Sequence, residues 1–185
     1  MKIALIGLPQ AGKRTLFTLL TGRQVPEGRK PGESIEGISA IRDPRVNVLA
    51  DMFKPEKTTY AENNFLLCPD ADTGGSYEWL DAARRCHLVC IVVRAFDDES
   101  VYHPAGSVDA NRDAENLEAE LLLADMALVE TRLERLARES KSGLKPEQER
   151  EKSVLDRAMA RLEGGERLEG LELDDSERAT VRSLD

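Results

Sequence analysis

The segment Gly7-Leu8-Pro9-Gln10-Ala11-Gly12-Lys13-Arg14 limits the folds open to this chain more than any other stretch. It fits the phosphate-loop pattern G-x-x-x-x-G-K-[ST] everywhere but the last position, where Arg14 replaces the hydroxyl. Lys2 to Ile6 before it reads as a buried strand, and Lys13 to Leu20 after it as the start of a helix. The glycines let the backbone curl until several N–H groups face one anion at the helix N-terminus. Pro9, Gln10, Ala11, Gly12, Lys13, Arg14 and Thr15 are therefore the expected nucleotide-binding residues. Lys13 would neutralise the outer phosphates, and a lysine between a glycine and a helix start has little packing reason to be there. The missing hydroxyl is the group that normally holds Mg²⁺.

The rest of the chain alternates strands and helices. Residues 23–33, with Pro26, Gly28, Pro31 and Gly32, read as a polar loop. Ser34 to Arg42 suits a strand, and Asp43-Pro44 opens a helix to Phe53 with Val46, Leu49 and Phe53 on one face. Tyr60 to Cys68 is a strand, Trp79 to Arg85 a short helix, and His87 to Val93 an apolar strand. With the glycine loop after the first strand, this order predicts an α/β domain on a mostly parallel sheet. From Asp113 the pattern changes: Leu117, Leu121, Ala124 and Leu128 keep helical spacing, and a polar break at 141–145 precedes a second helix from Pro146 to Gly164-Gly165. The pair reads as an antiparallel helical hairpin, followed by a short acidic helix from Asp174 towards Leu184. The expected division is 1–110 for the nucleotide-binding domain, incomplete, and 111–185 for a helical coiled-coil arm and the start of the return to the domain.

Charge separates the same two parts. The net charge is −9, but residues 1–110 carry 13 Lys and Arg against 15 Asp and Glu, whereas 111–185 carry 13 against 20. The acidic excess argues against a general nucleic-acid backbone binder or direct sequence-specific DNA binding. The first apolar residues run straight into the glycine loop, which leaves no signal-peptide pattern, and no apolar run reaches the ~20 residues of a membrane helix. A cytoplasmic protein is expected. Cys68, Cys86 and Cys90 are an odd count with no fourth ligand near His87, so they read as small core residues rather than a metal site. Asp97, Asp98 and Glu99 read as a solvated turn, and Tyr77 and Trp79 as packing residues.

Several blocks in order carry a family resemblance. Gly7-Leu8-Pro9 with Gly12-Lys13, Asp43-Pro44-Arg45, Phe53 to Thr59, Arg94-x-Phe96, Gly106-Ser107-Val108-Asp109, Leu121-x-Leu123-Ala124-Asp125 and Val129 to Leu136 resemble the YchF/Obg-like ATPase family of P-loop NTPases. The resemblance implies a GTPase-like domain with an inserted helical arm, binding of ATP or GTP with a preference for ATP, and association with ribosomes. The chain ends before the family's Asn-x-x-Glu base-reading segment and its TGS domain, so either it is a piece of a longer protein, the expected case, or a partner or second copy completes it.

The departures from the family converge on one ion. Arg14 stands at the loop hydroxyl, Leu67 at the acidic end of the third strand, and Asp70 at the glycine that meets the terminal phosphate. No threonine lies between Thr21 and Thr58 to serve the first switch, and the second switch shortens to Asp72-Thr73-Gly74-Gly75-Ser76. These losses remove the supports of Mg²⁺, so no residue is assigned as catalytic or as a metal ligand. A guanidinium binds phosphate oxygens and is always charged, so Arg14 either substitutes for part of the ion's charge or points to solvent. Thr15 serves phosphate contact or the helix N-terminus. Three functions remain open: a nucleotide-binding regulatory switch with weak or no hydrolysis, a scaffold that works through the arm without nucleotide, and an active ATPase or GTPase.

Overall fold

The computed structural model of the protein describes residues 1–28, 30, 32–72, 77–140 and 143–181. Arg29 and Pro31 of the loop expected at 23–33, residues 73–76 of the expected second switch, Lys141 and Ser142 of the expected polar break, and the expected helix end at Leu184 lie outside that set. The chain divides into two compact units, Met1–Ala114 and Glu115–Asp185.

In the first unit, β1 (Lys2–Ile6), β2 (Ile35–Ile41), β3 (Ala61–Leu67) and β4 (Leu88–Ile91) form one sheet in the order β2-β3-β1-β4. β1 runs parallel to β3 and β4, while β2 is antiparallel to β3. The expected mostly parallel α/β sheet is thus the fold observed. β1 is central, so both its faces are buried: Ala4 and Ile6 are 0% exposed on one, and Ile3 and Leu5 join Phe65, Leu67, Ile35 and Phe17 on the other. Phe17 comes from α1 (Lys13–Thr21), which follows the glycine loop. A Cβ at Gly37 would lie 2.7 Å from Phe17 Cζ and 2.8 Å from Thr21 Cγ2, so this point of β2 accepts α1 only because it has no side chain.

Helix α2 (Pro44–Phe53) has the predicted start, with the Asp43 carboxylate accepting the Arg45 N–H at 2.9 Å and proline at the first turn. Its apolar residues are not buried; Leu49 is 53% and Phe53 76% exposed. The segment read as one short helix at 79–85 is instead two 3₁₀ turns, Glu78–Leu80 and Ala83–Arg85, closed by Leu80 N–H to Tyr77 O and Cys86 N–H to Ala83 O, both 2.9 Å. These turns bury Trp79, Leu80 and Ala83. β4 covers only Leu88–Ile91 of the apolar run at 87–93, and as an edge strand paired with β1 alone it leaves Leu88 and Val89 48% and 40% exposed.

In the second unit, α3 (Ala110–Glu139, its first residues in the first unit) meets α4 (Pro146–Glu163), followed by α5 (Asp175–Val181). At 30 residues α3 is about 45 Å long. Cross-links fix the direction: Arg167 pairs with Glu118, Glu151 with Arg132, and Gln148 with Glu139, so one chain descends as the other rises. The helices close on Val129, Leu136, Leu155, Ala158 and Leu162. Among the described residues no helix is long and apolar enough to cross a membrane.

Candidate functional site

The glycine loop takes its shape from close backbone approach. A Cβ at Gly7 would come within 2.2 Å of Val92 O, which leaves room for glycine alone between the ends of β1 and β4. Gln10 adopts φ 61° and Gly12 φ 91°, left-handed values that turn the chain back on itself. Gly12 then caps α1 with no side-chain hydrogen bond, and the first intrahelical bond is Leu16 N–H to Gly12 O at 3.0 Å. The amides of the first turn therefore have no carbonyl within the helix and lie at its positive end.

Lys13 is 3% exposed. Its ammonium donates to Gly7 O at 2.7 Å and Leu8 O at 2.6 Å, and pairs with Asp70 Oδ1 at 2.7 Å. An unpaired buried ammonium would be costly, and these acceptors offset that cost. Asp70 follows β3, and its neighbour Ala71 donates its N–H to Gly7 O at 2.9 Å, tying this loop to the glycine loop.

Around these groups lies a cavity of about 280 Å³ lined by Gln10, Ala11, Gly12, Lys13, Arg14, Thr15, Asp70, Phe96 and Val101. Six of the seven residues expected from sequence thus meet in one place; Pro9 is half-buried and does not line it. Arg14 and Thr15 are exposed at the helix start. Leu67 is 0% exposed within the β-sheet core and offers no donor to a cation. Among the described residues no group of three His, Cys, Asp or Glu side chains gathers to hold a metal. Cys90 packs against the sheet core, burial raises the Cys86 thiol, and His87 Nδ1 accepts the Lys2 N–H at 3.0 Å.

Two arrangements were not legible in the sequence. Arg94 is 3% exposed and donates to four backbone carbonyls, of Phe96, Asp98, Val101 and Tyr102, at 2.9–3.3 Å. Its guanidinium lies 4.8 Å from the Phe96 ring centroid, so one cation shapes the loop that supplies the cavity's far wall. The acidic turn beside it is local: Asp98 accepts from the Ser100 hydroxyl and N–H, and these bonds hold its carboxyl below the usual range. The second is a buried pair with a partly exposed third member: His103 Nε2 donates to Asp113 Oδ2 at 2.9 Å while the half-buried Arg112 holds Oδ1 at 2.9 Å. His103 Nδ1 accepts the Ala105 N–H at 3.1 Å, which fixes the proton on Nε2. This trio anchors the start of α3.

A mostly parallel sheet whose first strand feeds a glycine loop, a buried lysine and an uncapped helix N-terminus defines the GTPase-like P-loop fold. The YchF GTPase of Schizosaccharomyces pombe has the same architecture, with a TM-score of 0.75 and 25% identity over 100% of this chain and 53% of that one. The ribosome-binding ATPase YchF of Escherichia coli O157:H7 is 31% identical over 99% of this chain, and that of Mycoplasma genitalium 32% over 100%. This chain belongs to the YchF family. It spans about half the length of these curated relatives, 53% and 52%. No protein-family model matches it.

Proposed function

We infer that this chain binds ATP or GTP in the cavity of Gln10–Thr15, with Pro9 shaping the loop, and acts as a regulatory switch with weak or no Mg²⁺-dependent hydrolysis. The observation that carries this reading is the buried ammonium of Lys13 beside an uncapped helix N-terminus. Together they supply a fixed positive charge and convergent N–H donors, the two things a phosphate chain needs. Bound nucleotide would supply the terminal phosphates that these groups orient. The reading of hydrolysis rests on the donor set. Leu67 is apolar and buried, Arg14 carries a guanidinium where a hydroxyl would hold the ion, and phosphoryl transfer depends on cations placed against the transferred group.

Arg14 takes over part of the ion's charge. Calorimetric titration with nucleotide tests this: affinity should be similar in EDTA and in Mg²⁺, and strict dependence on Mg²⁺ would refute it. The relatives' name, ribosome-binding ATPase, supports a ribosome as partner and the cytoplasm as the place of action. The 111–185 arm is our proposed contacting element. Co-sedimentation with ribosomes, with and without nucleotide, measures that contact. A second reading, a scaffold without nucleotide, is favoured by the Lys13–Asp70 pair, which satisfies the lysine within the protein. Replacing Lys13 should then leave partner binding unchanged.

A further inference from the structure

An ammonium has three N–H donors, and the acceptors on Lys13 include two neutral carbonyls, Gly7 O and Leu8 O, and one carboxylate, Asp70. An incoming phosphate must take the place of at least one. The carbonyls are the easier pair to leave. Gly7 O keeps the Ala71 N–H at 2.9 Å and Leu8 O keeps the Ala11 N–H at 3.4 Å, so neither is stranded when the lysine turns away. Asp70 differs. It is the charged partner, it lines the cavity, and at 46% exposure it remains partly hydrated.

We propose that Asp70 determines nucleotide specificity by standing in for the outermost phosphate at Lys13, so that the site selects a nucleoside diphosphate over the triphosphate. This rests on the nucleotide-binding reading above. A diphosphate can place its terminal group on the first-turn amides and one face of the ammonium while the Lys13–Asp70 pair persists. A triphosphate carries its terminal group, with about two negative charges, towards the atom where Asp70 already sits. It must either break the pair or accept anion beside anion at ~4 Å, and screening at a half-exposed site leaves a penalty of roughly tenfold to a hundredfold in affinity. The residue that departs from the family glycine thus becomes a selecting group.

The test is calorimetric titration of the wild-type chain, Asp70→Gly and Asp70→Asn with ADP, ATP, GDP and GTP, each in EDTA and in Mg²⁺. Asp70 is partly exposed, and circular dichroism checks that both variants fold. In EDTA the wild type should bind the diphosphate of the preferred base about tenfold to a hundredfold tighter than its triphosphate. Both variants should lose that preference because the triphosphate tightens while the diphosphate changes little. Equal affinities in the wild type, or a preference kept by both variants, would overturn the assignment. Triphosphate binding that needs Mg²⁺ and is lost in Asp70→Asn would make Asp70 a metal ligand and also overturn it. In each of these cases nucleotide still binds, whereas no binding to any of the three proteins would overturn the nucleotide reading itself.

Discussion

Replacing Lys13 with methionine keeps the apolar stem and removes the ammonium, and its two consequences can be separated. In the free protein the loss is limited. Gly7 O and Leu8 O keep their backbone donors, and Asp70, 46% exposed, regains water. A pair with one half-exposed member is worth about 1 kcal/mol after screening, so the unfolding free energy should fall by that order. Nucleotide binding loses more. A charge-assisted hydrogen bond to phosphate contributes about 1.5–3 kcal/mol, and the unpaired Asp70 now repels the ligand. Affinity should fall by roughly 10- to 150-fold. Competition against a fluorescent nucleotide, read by anisotropy, measures the affinity, and urea denaturation measures the stability. A folded Lys13→Met protein that binds within about threefold of wild type would refute the argument, because the ammonium could then not be the phosphate's counter-charge.

Other positions give independent tests. Gly37→Ala puts a methyl 2.7 Å from Phe17 Cζ and should cost about 1–3 kcal/mol of stability in urea denaturation; an unchanged midpoint would show that α1 does not rest on β2 there. Asp113→Ala strands the buried Nε2–H of His103 and should cost about 3 kcal/mol, with amide exchange speeding up first around residues 103–116. Arg157, beside Glu177, holds the Glu177 carboxyl below its usual range, with the Asp174 N–H assisting. A depressed folded pKa means that the contribution is present above the unfolded value of about 4.3 and lost as pH falls through the folded one. Protection of α5 amides should therefore decline at pH below about 4, and Arg157→Gln should shift that decline upward in pH.

Local rules made much of the fold readable. The Asp43-Pro44 start of α2, the Pro146 start of α4 and the Gly164 stop each depend on chemistry within a few residues, and the observed helices begin and end there. The sheet's strands were readable by composition, but their order and the antiparallel placement of β2 depend on crossings that no local pattern encodes. The face of α2 shows the same limit: Val46, Leu49 and Phe53 follow helical spacing, yet nothing in α2 is buried. At the site, the glycine loop announced Lys13, but its partner lies in a loop far along the chain. Asp70 could be read only as a missing glycine, and Arg94 only as one letter of a motif, until the fold set each beside its acceptors or donors.

Hydrogen exchange of the loop amides, with and without nucleotide in EDTA, tests the central claim most directly. Pro9 has no N–H, so the readout is Gln10 to Thr15. Bound phosphates on the N-terminus of α1 should slow exchange across those residues and leave the amides of α4 unchanged, with the protection lost in Lys13→Met. Nucleotide that binds yet leaves Gln10–Thr15 exchanging at the free rate would contradict the account, because the phosphates would then lie somewhere other than this loop.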